Sequence, residues 1–226
     1  MYVPPAFREE DLSKLHAQIQ QTPLAILVSQ GERGLEASHL PLLFSPEQGE
    51  RGTLHGHFAR ANPHWRTLAA GAEALVIFPG AEGYVSPGYY PSKAEHGKQV
   101  PTWNYIAVHA YGRAEVYDEP ARLRQLVSRL SERHERGRAQ PWSVDQAPAE
   151  YLDAMLRAIV GFALPIERLE GKWKLSQNKD ARDFAGVRAG LAASSRASER
   201  DLAGQMHPGS EGALQRTDRS AKHLMT

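Results

Sequence analysis

The chain has 226 residues, of which 41% are hydrophobic and 23% charged, with a formal net charge of +1. Such a chain can bury a core as one large domain or two small ones, and a charge so close to zero gives no whole-molecule reason to expect nucleic-acid binding. The absence of cysteine excludes disulfides, thiolate nucleophiles and cysteine metal sites, and points to a reducing compartment.

The opening Met1-Tyr2-Val3-Pro4-Pro5-Ala6-Phe7-Arg8 has no basic region followed by an apolar core, and no run approaches the ~20 apolar residues of a membrane span, so a cytoplasmic protein is expected. Glu9 to Gln21 is predicted as a helix, with Leu12, Leu15, His16 and Ile19 at helical spacing and Thr22-Pro23 ending it. Leu24 to Ser29 reads as a strand, Gly31-Glu32-Arg33-Gly34 as a turn, and Leu35 to Phe44 as the hairpin partner. Gly52 to Phe58 is the next strand. Asn62 then caps a short helix from Pro63 to Ala70, and Gly71 stops it. Ala74 to Phe78 is a buried strand closed by Pro79-Gly80, and Ala81 to Gln99 is a long loop rich in Gly, Pro, Tyr and Ser.

A long strand follows from Val100 to Val116, with Gly112 a candidate bulge. Asp118-Glu119-Pro120 opens a helix striped with Leu123, Leu126, Val127 and Leu130. A second helix runs from Ala147 to Arg157, and Ile159 to Leu175 is a final strand interrupted at Pro165. Hairpin turns between some six strands point to an antiparallel barrel with helical decoration, α+β in class, rather than to alternating βαβ units. Residues 192–226 have scarcely a large apolar side chain, so that stretch is expected to be a disordered polar tail behind a domain of residues 1–191.

Four kinds of chemistry bear on this sequence. The turn Arg60-Ala61-Asn62-Pro63 offers a guanidinium fork and free backbone N–H groups to a phosphate, the alternative being an ordinary capped helix with a surface arginine. No P-loop exists, because Gly97-Lys98-Gln99 has Ser92 at the glycine position, and Gly-x-Gly-x-x-Gly is absent as well. His55 and His57 alternate onto one strand face, with His39, His64 and His109 also available, but no third carboxylate ligand stands out for a metal. No Gly-x-Ser-x-Gly elbow is present. Tyr84, Tyr89, Tyr90, Trp103 and Tyr105 interleave with Ser86, Lys93, Thr102 and Asn104, which suits a planar heteroaromatic ligand, although composition alone favours a core or subunit interface.

Taken together, Met1-Tyr2 through Phe7, Ser38-His39-Leu40-Pro41, Gly56 through Pro63, Tyr84-Val85-Ser86-Pro87 with Tyr89-Tyr90, Val100 through Tyr105, and Lys174-Leu175-Ser176-Gln177-Asn178 resemble the PaiB family of FMN-binding negative transcriptional regulators over about residues 1–191. The resemblance implies a flavin-reductase-like split β-barrel with Greek-key strands, a homodimer, and FMN at or near the subunit interface. On it, Arg60 and Asn62 would face the phosphate. Thr102, Trp103 and Asn104, with the aromatic loop around Tyr90, would flank the ring or the dimer seam. Lys174, Gln177 and Asn178 would reach the flavin or the partner, and His39 and His57 complete the implied cofactor set. Gly88 stands where the family pattern has a larger residue, an expected loosening of that loop.

Three readings of function stay open. One is an FMN-binding regulator acting on DNA or through a protein partner, although no helix-turn-helix is evident. The second is an FMN-dependent NAD(P)H oxidoreductase, in which the nicotinamide would stack on the flavin. The third places haem in the same barrel, with His39 or His57 as axial ligand.

Overall fold

The structure, a computed structural model, describes residues 1–32 and 34–207. In chain order its elements are β1 (Arg8–Glu9), α1 (Leu12–Gln21), β2 (Ala25–Gly31), β3 (Gly34–Leu40), β4 (Leu43–Ser45), β5 (Thr53–Ala59), α2 (His64–Ala69), β6 (Glu73–Val85), α3 (Lys93–His96), β7 (Thr102–Arg113), β8 (Glu115–Tyr117), α4 (Pro120–Glu135), α5 (Ala149–Arg157), β9 (Ile159–Pro165), β10 (Arg168–Lys174), α6 (Ala181–Ala192) and α7 (Ala197–Gln205). Class and pairing are as expected, α+β with antiparallel strands. Among the described residues no helix is long and apolar enough to cross a membrane. The described residues divide into two compact units, 1–10, 80–107 and 171–207 in the first and the described part of 11–79 with 108–170 in the second.

In the second unit, α1 starts where the Asp11 carboxylate accepts the Ser13 amide at 2.9 Å, which satisfies one of the orphan donors of the first turn. The hairpin β2–β3 pairs Ile26 with His39 and Leu27 with Ser38, and β2 pairs on its other side with β6, Val28 opposite Leu75. The expected partner strand Leu35 to Phe44 is in fact two strands. Beyond Pro41, which has no N–H for a ladder, β4 joins a different, four-stranded sheet of order β4-β5-β9-β8. The strand expected from Ile159 to Leu175 divides in the same way at Pro165, β9 lying in the four-stranded sheet and β10 outside it. One face of the four-stranded sheet buries Leu54, Phe58, Phe162 and Leu164, with the Phe58 and Phe162 rings 5.2 Å apart. The other face is covered by α4 and α5, whose Leu123, Leu152 and Leu156 pack with Tyr117 and Ala163.

In the first unit, β1 pairs with β10, Arg8 opposite Lys172, and the strand order runs β1, β10, β7, β6. Here β6 corrects the sequence reading, since it continues through Pro79-Gly80 to Val85. The residues expected to be one long loop hold a 3-10 turn at Pro87–Tyr89 and the short α3. Gly88 sits in that 3-10 turn with its amide bonded to Ser86 Oγ at 3.1 Å. A core of Val85, Tyr90, Ile106, Leu175, Phe184, Val187 and Leu191 is completed by Leu202, Ala203 and Met206. Those last three correct the expected tail. Residues 197–205 form a helix because three apolar side chains at helical spacing find a ready apolar surface to bury against, which a composition average over 192–226 hides. The remainder of the expected tail, residues 208–226, lies outside the described residues.

Candidate functional site

The residues singled out in the sequence fall into two groups, one in each unit. In the second unit Asn62 holds the turn between β5 and α2, its Oδ1 accepting the His64 amide at 3.1 Å and its Nδ2 donating to Ser38 Oγ at 3.2 Å. Ser38 Oγ lies 2.8 Å from His64 Nδ1, and Ser29 Oγ lies 2.8 Å from Nε2. The chain is satisfied when Asn62 donates to Ser38, Ser38 to Nδ1, and Nε2 to Ser29. His64 is only 2% exposed, and burial pushes its pKa down. Sequence reasoning passed over this network, since His64 is separated from its two serine partners by whole strands.

The Arg60 fork is already committed. Its Nε donates to the Arg157 carbonyl at 2.8 Å and Nη2 to the Ile159 carbonyl at 3.1 Å, with the Asp118 carboxylate 3.5 Å away. A cavity of about 580 Å³ beside it is lined by Arg60, Asp118, Pro120, Asp153, Leu156 and Arg157, so two aspartates offset its two arginines. His57 stands on β5 opposite Gly161, and its Nδ1 is the one buried side-chain polar atom among the described residues that lacks a hydrogen-bond partner. Burial lowers the His57 pKa. His39 is exposed on β3. Among the described residues no three His, Asp or Glu side chains gather as a metal ion requires.

In the first unit the strand alternation at the start of β7 turns Asn104 fully inward, 0% exposed, and Trp103 outward, 45% exposed. The Trp103 ring meets the half-exposed Tyr84 ring edge-on at 5.9 Å. At the end of β10, Lys174 Nζ donates to Thr102 Oγ1 and to the Trp103 carbonyl, both at 2.5 Å. The ammonium has three N–H donors, so one remains. Burial pushes the Lys174 pKa down, and neighbouring Lys172 pushes it further. Among the described residues neither lysine has a carboxylate partner. Lys172, 7% exposed, donates to the Tyr2 carbonyl at 3.1 Å and lies 5.0 Å from the centre of the Tyr105 ring.

The turn after Lys174 is held from within. Gln177 Oε1 accepts the Leu175 amide at 2.7 Å and its Nε2 donates to the Trp173 carbonyl at 2.5 Å. Ser176, with a left-handed φ of 64°, bonds to Asn104. Asn178 is exposed, and among the described residues its side-chain amide has no hydrogen-bond partner. Tyr90, by contrast, sits in the core at 3% exposed with Lys179 Nζ 4.6 Å from its ring centre. What this corner offers a ligand is therefore a cation without a counter-ion, a free amide and an open indole, a donor set suited to a planar anionic molecule.

Residues 1–168 match the family described as "Putative FMN-binding domain". The chain belongs to that family. FMN is accordingly the cofactor of this FMN-binding-domain protein, and the donor set around Lys174 fits such a molecule. The chain is 33% identical over 187 residues to "Protease synthase and sporulation protein PAI 2" of Bacillus subtilis, covering 83% of this chain and 87% of that protein. It is 32% identical over 226 residues to the uncharacterized protein AN0679 of Emericella nidulans, covering 84% and 90%. Two solved structures share the fold of this FMN-binding-domain protein. One is the FAD and heme binding protein from Mycobacterium smegmatis, at a TM-score of 0.55 and 20% identity over 79% of this chain and 78% of that one. The other is the flavocytochrome Anf3 from Azotobacter vinelandii, at a TM-score of 0.56 and 17% identity over 79% and 75%. The expected fold class, the flavin-binding split-barrel type, therefore stands. The family match ends at residue 168, before Lys174, Gln177 and Asn178.

Proposed function

We propose that FMN is held where β7 begins and β10 ends, by Lys174, Thr102, Trp103 and Asn178, and that the loaded protein is a cytoplasmic homodimer acting as a negative transcriptional regulator. The observation that carries the site is the Lys174 ammonium: half-buried, fixed by two protein oxygens, next to a second lysine, and without a carboxylate partner. An anionic cofactor offsets the repulsion between the two cations. Trp103 offers an open ring to the flavin plane, Thr102 orients Lys174, and Gln177 and Asn104 position the turn that carries Asn178. The proposal uses residues of the first unit alone.

The regulatory part is supported by the identity with the Bacillus protein, whose name reads protease synthase and sporulation protein. A protein partner is the preferred route, because the basic side chains of α4 are largely engaged within the fold. Arg122 pairs with Glu115 at 2.7 Å, Arg124 with Asp145 at 2.8 Å, and Arg133 donates to the Leu42 carbonyl at 2.7 Å. The visible spectrum of the purified protein after FMN addition and desalting tests the cofactor site. Retained, perturbed flavin bands are expected, and a colourless protein would contradict it. A gel shift with genomic fragments at low and high salt tests the route, since sequence-specific binding that survives high salt would replace the partner by direct DNA reading.

A second reading is favoured by the edge-to-face pair of Trp103 and Tyr84, both exposed, whose rings are accessible to a planar second reactant. FMN when bound supplies hydride and single-electron acceptance, and the chain's part would be to orient that reactant and exclude water. Loss of the flavin colour on adding NADH or NADPH without oxygen is the expected sign, and no bleaching by either removes this reading.

A further inference from the structure

The second unit holds a cavity of about 370 Å³ on the sheet face that α4 covers, formed by residues other than those of the proposed flavin site. It is polar for a structural reason. Alternation on β5 and β8 points His55 and Glu115 to that face, and the pairing of both with Ala163 on β9 leaves open space between them. From above, α4 contributes Arg122 and Arg129, two helical turns apart and so on one side of the helix.

The two arginines are used differently. Arg122 is neutralised by Glu115 at 2.7 Å and lies 3.8 Å from the centre of the Tyr117 ring. Among the described residues Arg129 has no carboxylate within ion-pair distance, and its Nη2 donates over a long 3.4 Å to Ser45 Oγ. His55 contributes no charge of its own near neutrality. Burial and the two arginines hold its pKa down, and its Nε2 donates to Gln48 Oε1 at 2.7 Å, leaving Nδ1 as a bare acceptor. Among the lining residues two arginines stand against one glutamate, with Glu47 acting on His55 from outside the lining, so Arg129 is the lining cation left without a close counter-charge, beside the acceptors His55 Nδ1 and Glu115.

We propose that this cavity binds a small organic monocarboxylate bearing a hydroxyl or ammonium group. Arg129 takes the carboxylate as a bidentate pair, and His55 and Glu115 accept from the second group. The cavity lies at the small end of the range for ligand pockets, and a single arginine outside any ion pair, with Glu115 and Glu47 close by, favours a monoanion over a phosphate dianion.

The test is a thermal-shift and calorimetric titration of the full chain saturated with FMN, using glycolate, glycine, acetate and inorganic phosphate, with Arg129→Gln and Arg129→Lys beside the wild type. Arg129 is exposed on α4 while Leu123, Leu126 and Leu130 make the packing contacts, so both variants are expected to fold. Glycolate or glycine should bind more tightly than acetate or phosphate. Arg129→Gln should weaken that binding by about tenfold or more, and Arg129→Lys should restore part of it. Saturation by none of the four compounds, a preference for phosphate, or equal binding by Arg129→Gln would overturn the proposal. Loss of FMN in Arg129→Gln would also overturn it, by making the cavity part of the cofactor site.

Discussion

Asn104 and Ser176 exchange hydrogen bonds in both directions inside the first unit, Asn104 Nδ2 donating to Ser176 Oγ at 2.9 Å and Ser176 Oγ lying 3.3 Å from Asn104 Oδ1. Both residues are buried. A non-glycine residue at positive φ is strained, and this pair is what holds Ser176 there at the exit of β10. Asn104→Ala removes both bonds and leaves the serine hydroxyl unpaired, so a loss of about 2–3 kcal/mol in urea unfolding is expected. FMN binding should weaken with it, because the turn carrying Asn178 loses its anchor. Wild-type stability in that variant would show that the turn is held by other means.

Gly190 on α6 faces the ring of Tyr89, and a Cβ there would come within 2.4 Å of it. At Gly186, one turn earlier, an added Cβ would come within 2.2 Å of the Tyr89 carbonyl. Gly190→Ala should therefore destabilise by about 1–3 kcal/mol through overpacking, although alanine ordinarily favours a helix. A raised melting temperature would mean that Tyr89 moves aside freely.

Arg60 bonds two carbonyls at the junction of α5 and β9. Arg60→Ala should cost about 1–2 kcal/mol of stability and leave FMN affinity unchanged. The opposite result, intact stability with a large loss of affinity in a flavin fluorescence titration, would restore the phosphate-anchoring part that the sequence assigned to it.

His55, His57, His64 and His109 all lie in the second unit, and burial is the leading cause of a lowered pKa for each. A folded-state pKa below the unfolded value means that the unfolded chain binds more protons in the intervening range. The contribution of each is thus fully present above the ordinary histidine value of about 6.5 and is lost as pH falls through the folded pKa. Urea midpoints should be level above neutrality and fall steadily below about pH 6.5. A flat profile into the carboxylate range would contradict the buried, neutral histidines described here.

Much of the architecture was legible in local patterns. The β2–β3 hairpin follows from an apolar run, a glycine turn and an alternating partner, and the stripe of Leu123, Leu126 and Leu130 on α4 is buried as its spacing implies. Pro79-Gly80 misled because proline usually ends a strand. Here the Pro79 carbonyl is taken by Gln18 Nε2 at 3.2 Å and Thr22 Oγ1 at 3.4 Å, and the extended backbone continues. α7 was hidden by averaging, since Leu202, Ala203 and Met206 matter for where they land rather than for their number. The polar networks carried no local signal at all. Asn104 and Ser176 meet across 72 residues, and His64 joins two serines on separate strands. The Lys174 corner was legible only as motifs, the missing counter-ion being a fact of three-dimensional packing.

The most direct test of the flavin site is the FMN affinity of Lys174→Met, measured by quenching of flavin fluorescence, with the melting temperature as a check that the variant is folded. Methionine keeps the length and removes the charge. If Lys174 holds the anionic part of the cofactor, the dissociation constant should rise by about tenfold to a hundredfold, the worth of a charge-assisted contact of ~1.5–3 kcal/mol. A folded variant that binds FMN as tightly as the wild type would contradict the placement of the cofactor at this corner.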